Sequence, residues 1–212
     1  MFHINPMSIL LSLPGIFIGF AFHEFAHAFA ADRLGDSTPR SQGRLTLDPL
    51  PHIDIMGLIL IIIAGFGWAK PVQVNPRNFK NPKRDDIIVS LAGPMINFAI
   101  ALLFVVLLKL LVITGVFYFI NTTITSGIEA LIYQTVWINL ILFVFNLLPI
   151  YPLDGYHVLS HFVPYSNREK LYRLRYFSRF ILLIILITPV ASYVILPVVS
   201  SLYDGLFTLL KL

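Results

Sequence analysis

The feature that most constrains this chain is a long apolar run, from about Met7 to Ala31, with three ionisable residues in its middle: His23, Glu24 and His27. A run of this length spans a bilayer as one helix, because a hydrocarbon core of ~30 Å needs about 20 apolar residues. An ionisable side chain at membrane depth costs roughly 2.5–3.5 kcal/mol on insertion scales. Three together need a ligand, a partner or water, so the run predicts a membrane helix with a functional polar centre.

The spacing of these residues indicates a metal site. His23 and His27 are four residues apart, so on a helix their imidazoles share a face and can converge on one cation. Glu24 lies one position round, close enough to act on a water at that cation. This is the H-E-x-x-H arrangement, in which two histidines hold Zn²⁺ and the glutamate is a general base. The alternative is a polar cluster that only bonds neighbouring helices, and the membrane setting favours zinc.

The composition is typical of polytopic membrane proteins. Of the 212 residues, 57% are hydrophobic and 12% are charged, whereas soluble chains carry about 25% charged residues. The absence of cysteine leaves histidine and carboxylate as zinc ligands. The net charge of +4 does not indicate a nucleic-acid partner, because the basic residues lie between apolar segments. We expect one domain over 1–212, with a catalytic core over about 6–160 and C-terminal membrane helices over about 168–212.

Further apolar segments predict an all-α membrane fold with about five to six transmembrane helices. The run over 55–67 is too short to span and is expected to be re-entrant. In the stretch 68–75, apolar and polar residues alternate and prolines bound the segment. This pattern predicts a short extended piece or a β-hairpin near the active site. The predicted spans are 6–31, 87–113, 128–148, 177–188 and 190–210.

The basic residues predict the topology. They collect in three connections, after the first span, after the run 55–67 and after Leu148, and basic connections face the cytoplasm. The connection 114–126 holds no Lys or Arg and is expected outside. A full crossing by 55–67 would separate the first two clusters, which favours the re-entrant interpretation.

Asp154 is the candidate for the third zinc ligand that such a site needs beside its open position. It lies in the turn Pro152-Leu153-Asp154-Gly155, just after a span, at a depth similar to that predicted for His23 and His27. The alternative is an Asp that only caps a helix, since Asp-Gly is an ordinary turn dipeptide. The shared depth favours the ligand role.

These motifs resemble the site-2 protease family of intramembrane zinc metalloproteases, in its small bacterial form without a PDZ or CBS domain. The resemblance covers roughly 19–159, and one departure from the family pattern is Asp48, where Asn is expected. Five separated segments carry it in the family's order: 23–27, 43–54, 65–72, 92–97 and 146–155.

The resemblance implies that His23, His27 and Asp154 bind one zinc ion per chain. It also implies that Glu24 activates the water and that Asn146 helps to hold the substrate or its reacting carbonyl. The implied activity is hydrolysis of peptide bonds within or near the transmembrane segment of a single-span substrate. The implied location is the lipid bilayer of a bacterial cell membrane.

The remaining polar residues are weaker candidates. His52 either bonds substrate at the cavity entrance or fixes a turn. Asn97 is expected to support the site, and Asn139 to bond a neighbouring helix. His157 and His161 form a second pair at four-residue spacing, but no glutamate follows His157, and we expect a polar surface there.

Two other classes of function compete with the protease. A metal transporter would line its path with the ionisable residues of the first span. An inactive protease relative would only bind membrane partners. The glutamate next to a complete His-His-Asp set argues against both.

Overall fold

The computed structural model describes residues 6–64 and 67–211, and this part of the chain is helical, without β-strands. Four of its helices are long and apolar enough to cross a membrane: α1, α4, α5 and α8. The all-α membrane class is therefore confirmed, whereas the predicted five to six spans are not. The helices are α1 (Pro6–Arg33), α2 (Thr38–Ser41), α3 (Ile55–Ala64), α4 (Pro82–Ile113), α5 (Thr122–Asn146), α6 (Asp154–Ser160), α7 (Arg168–Ile187) and α8 (Val190–Leu209).

Helices α1, α4 and α5 form the central bundle, and α8 packs on its α4 and α5 side. The main apolar core lies between these last three helices, where van der Waals packing between small and branched side chains holds membrane helices together. Its buried members are Ala101, Val105, Leu108, Ile132, Val136, Leu140, Ile195, Val199 and Leu206.

The chain before helix α3 and the chain after it lie side by side. Ile53 and Ala69 form an antiparallel bridge, and the Lys70 amide donates to the His52 carbonyl at 2.8 Å. A Cβ on Gly57 of α3 would collide with the carbonyl of Trp68, so the returning chain lies directly against the helix. With its two ends paired, the chain turns back beside α3, and the re-entrant interpretation stays a prediction. Its apolar face is exposed at Ile55, Met56, Ile59, Ile62 and Ile63.

Of the two forms predicted for 68–75, a short extended piece or a hairpin, the hairpin does not form. The only β-type pairing among the described residues is the bridge at Ala69, and the chain beyond it runs without a partner strand. Pro71 and Pro76 have no amide hydrogen to donate to a ladder. Side chains take up the backbone groups between them, as described below.

The predicted topology can be checked with accessibility tags. Tags after Leu34, Lys80 and Asn167 should face the cytoplasm and a tag near Thr122 should face outside, because the basic connections stay on the cytoplasmic side. The measurement is labelling of each tag in intact and in permeabilised cells. Opposite accessibility of the Leu34 and Lys80 tags would show that the segment between them crosses the membrane.

Candidate metal centre

Three side chains that are distant in sequence converge between α1, α4 and α6. His23 and His27 lie four residues apart on α1, and Asp154 is the first residue of α6. One donor atom from each lies within 4.8 Å of the other two, and among the described residues no other such group is found. The Nε2 atoms of the two histidines are 3.0 Å apart and lie 3.3 and 3.4 Å from the Asp154 oxygens. The structure thus brings together the three predicted zinc ligands.

Hydrogen bonds to the other ring nitrogens set the tautomer of both histidines. His23 Nδ1 lies 2.6 Å from Asn97 Oδ1, and His27 Nδ1 lies 2.8 Å from the Val89 carbonyl. Both partners are acceptors, so each Nδ1 carries the hydrogen and each Nε2 presents a lone pair. Two lone pairs that face one another and a carboxylate form a cation-binding arrangement, and such outer hydrogen bonds orient metal-ligating histidines.

The donor set fits zinc. Zn–N and Zn–O distances of about 2.0–2.2 Å in a tetrahedron put ligand atoms about 3.3 Å apart, close to the separations between the imidazoles and Asp154. Asp154 Oδ2 is also buried without a hydrogen-bond partner, and a buried carboxylate oxygen without one is costly unless a cation takes that place. Two imidazoles and one carboxylate are ligands that catalytic zinc uses, with a fourth position left for water.

Gly93 of α4 makes the room for this site; it lies in the family segment 92–97, but no role was predicted for it. A Cβ there would overlap His27 Nε2 and would lie 2.7 Å from His23 Nε2. The available signal was a glycine inside an otherwise apolar helix, which usually has a packing reason.

Replacing Gly93 with alanine should weaken zinc binding by about tenfold or more, because overpacking a buried site costs roughly 1–3 kcal/mol. Metal analysis of the purified variant measures this. Gly127→Ala is the matched control, since a Cβ at Gly127 of α5 meets nothing within 4 Å. Equal zinc affinity in the two variants would contradict the close approach of α4 to the imidazoles.

Glu24 is buried beside the histidines and has a backbone partner. Its Oε2 accepts a hydrogen bond of 2.8 Å from the amide of Val72. Val72 belongs to residues 67–75, which we call the strap. The carboxylate expected to act on water is therefore held at the site by the strap backbone.

Two buried charged side chains fix the strap. The guanidinium of Arg44 donates to the carbonyls of Pro51, Lys70 and Pro71. Asp36, just after α1, is fully buried and accepts from the amide of Asn75 at 2.7 Å. Burial raises the pKa of Asp36, but hydrogen bonds from Thr38, Asn75 and Asn78 outweigh that effect and hold the pKa below its ordinary value. Arg44 lies in the family segment 43–54 but had no predicted role, and Asp36 lies in none of the five segments; both act through tertiary contacts.

A chain of amides runs from the site into the bundle. Asn97, whose Oδ1 faces His23, donates through Nδ2 to the Gly19 carbonyl and to Asn139 Oδ1 at 3.1 and 2.9 Å. Asn139 donates to the Thr135 carbonyl of its own helix. Asn97 thus lies directly behind His23, and Asn139 lies behind Asn97, linking α5 to the site in addition to bonding a neighbouring helix.

The other predicted residues lie outside the donor group. Asn146 donates to the Leu142 carbonyl one turn back in α5. His52 is fully buried, with Nε2 2.9 Å from the Thr46 carbonyl, a contact that fixes a turn. His157 is exposed, and His161 pairs with Asp86 at 2.6 Å. At position 48, where the family pattern has Asn, Asp48 Oδ1 accepts a hydrogen bond from the Leu50 amide. An Asn side-chain oxygen would accept the same bond.

Comparison with known proteins agrees with this site. The Bacillus subtilis protein named "Putative zinc metalloprotease YwhC" is 39% identical to this chain, over 96% of this chain and 93% of the relative. The sequence profile of peptidase family M50 matches residues 108–188, which include Asp154. The chain belongs to this family.

Two other relatives have lower sequence identity. The Mycobacterium tuberculosis H37Rv protein named "Putative zinc metalloprotease Rip2" is 32% identical over 92% of this chain and 73% of its own length. A Methanocaldococcus jannaschii protein, "Putative zinc metalloprotease MJ0611", is 32% identical over 71% of this chain and 70% of its own. No solved structure is significantly similar to the chain. The resemblance to site-2 proteases and zinc as the metal of this M50 protein are thereby confirmed.

Proposed function

We propose that this M50 protein is an intramembrane zinc endopeptidase that cleaves single-span membrane proteins within or near their transmembrane segments. The observation that carries the proposal is the depth of the His-Glu-His-Asp group. His27 and His23 lie 6 and 10 residues before Arg33, where α1 ends, which is about 9 and 15 Å along a helix. A zinc group at that depth meets a peptide bond that lies below the membrane surface.

Each residue has a proposed role. His23, His27 and Asp154 hold the metal, with the histidines fixed by Asn97 and the Val89 carbonyl. Zinc supplies a Lewis acid that polarises the scissile carbonyl and makes water a nucleophile near neutral pH. Glu24 takes the proton of the attacking water and delivers it to the leaving amine.

The strap is the proposed substrate-binding edge. A substrate helix hides its carbonyls in its own hydrogen bonds, so it must unwind locally before attack. An unwound segment can add as a strand to an exposed backbone edge. The strap beyond Ala69 has no partner strand, and side chains bond the amides of Val72 and Asn75 and the carbonyls of Lys70 and Pro71, so the proposed edge is the stretch 73–74. The Val72 amide on Glu24 puts that edge next to the general base. Asn146, at the end of α5, is proposed to help hold the substrate, with His52 supporting the turn before α3.

We place the protein in a bacterial cell membrane as a single domain. Its four apolar helices support a membrane location. The Bacillus relative, which this chain covers almost fully, supports a bacterial one.

The experiment is cleavage of a panel of single-span substrates by the purified protein in lipid vesicles, with and without a chelator. We expect cuts within or beside the apolar segment, found by mass spectrometry, that stop with chelator and return with added zinc. Cuts that persist without metal would contradict the proposal. Zinc flux across the vesicle wall without any cleavage would show a transporter instead.

A further inference from the structure

Helix α7 presents a broad aromatic and basic face to the outside of the protein. Tyr172, Tyr176, Phe177 and Phe180 are 66%, 73%, 57% and 62% exposed. The buried Ser178 marks the opposite side, which faces the protein. Along its length α7 carries five Lys or Arg residues and one acidic residue, Glu169.

The C-terminal end of α7 lies at the level where α5 ends. Helix α8 runs antiparallel to α5, because the Tyr203 ring contacts Trp137 and the Phe207 ring contacts Tyr133, each at 5.5 Å between centroids. Val190, at the start of α8, is 13 positions before Tyr203, or about 20 Å along the helix axis. Because α5 runs the other way, the same distance along α5 leads from Trp137 to position 150, just past the end of α5 at Asn146. Only two residues separate α7 from Val190.

The N-terminal half of α7 lies at the same level. The Arg175 guanidinium stacks over the Tyr151 ring at 4.2 Å and donates to its hydroxyl at 3.1 Å. Tyr151 follows the end of α5 by five residues. From Arg175 to Ile187 the helix rises through 12 residues, about 18 Å, yet both points lie beside one end of α5. A helix with both points at one level lies across the bundle end instead of crossing the membrane.

We propose that α7 lies along the cytoplasmic membrane surface and binds anionic lipid headgroups. Interfacial helices combine basic side chains with aromatic and apolar ones, and Tyr and Phe rings beside Lys and Arg are the composition of that zone. Each basic side chain near an anionic leaflet adds about a fivefold gain in attraction. This corrects the predicted span over 177–188, of which 177–187 lies in α7, outside the four candidate spans. Through Arg175 the lipid-bound helix also holds the turn that precedes Asp154.

The depth of α7 tests the first half of this proposal. The chain has no cysteine, so single cysteines at Lys170, Phe177 and Ile184 can carry nitroxide labels on one face, seven residues apart. In vesicles with or without phosphatidylglycerol, collision with oxygen and with a water-soluble nickel complex reports their depth. We expect three nearly equal depths. A steady change of about 10 Å per step, as a helix along the membrane normal would give, would overturn the proposal.

Lipid preference tests the second half. A fluorophore on a cysteine at Tyr176 should be quenched more by nitroxide-labelled phosphatidylglycerol than by labelled phosphatidylcholine. Lys170→Gln with Arg173→Gln removes two such charges and should lower this preference about 25-fold. The charge-retaining pair Lys170→Arg and Arg173→Lys should keep the lipid preference. Lys109→Gln, near the C-terminal end of α4 and away from α7, should keep it too. Equal quenching by both lipids, or a label shielded from lipid and water by a protein partner, would overturn the proposal.

Discussion

Replacing Asp154 with alanine is expected to empty the metal site. The two imidazoles would remain at 3.0 Å from one another, but two ligands cannot hold a tetrahedral zinc with one open position. Loss of an outer-shell partner alone typically costs 10–100-fold in metal affinity, so loss of a ligand should cost at least about 100-fold. Cleavage should disappear with the metal.

Metal analysis of the purified protein measures this loss. Asp86→Ala is the matched control, because Asp86 pairs with His161 of the neighbouring turn and is not in the donor group. It should retain about one zinc per chain, as zinc enzymes with three protein ligands do. Unchanged zinc in Asp154→Ala would move the third ligand elsewhere, and His157, which the structure leaves exposed, would be the first residue to examine.

The sequence predicts the chemistry of the site better than its support. The four-residue spacing of His23 and His27 fixes their common face on any helix, and the Pro/Gly turn makes Asp154 visible. Gly93 and the Val89 carbonyl act through contacts between helices far apart in sequence. No local pattern encodes such contacts, so they emerge only from the packed bundle.

The strap and α7 show where pattern alone fails. Alternation over 68–75 predicts a short extended piece or a hairpin. The hairpin does not form, and Glu24 accepts from the Val72 amide while Arg44 donates to nearby carbonyls. Side chains thereby bond part of the strap backbone in place of a partner strand. In α7, the apolar stretch 180–187 covers only about 12 Å as a helix, too short to cross a bilayer. Three exposed basic residues before it agree with the proposed position of α7 at the membrane surface.

Glu24→Gln is expected to abolish cleavage while leaving the site intact. Glutamine keeps the length of the side chain and an oxygen that can accept from the Val72 amide, so the strap contact survives. It cannot take a proton at neutral pH, and general-base catalysis typically contributes about 10²–10⁴-fold. Cleavage should therefore fall by at least about 100-fold. Glu169→Gln, on the exposed start of α7, should leave the rate unchanged.

The most direct test measures zinc content, substrate cross-linking at the strap and cleavage rate together in wild type and Glu24→Gln. The account predicts equal zinc, equal cross-linking and a cleavage rate at least about 100-fold lower in the variant. A zinc-loaded Glu24→Gln protein that cleaves at a near-normal rate would contradict it.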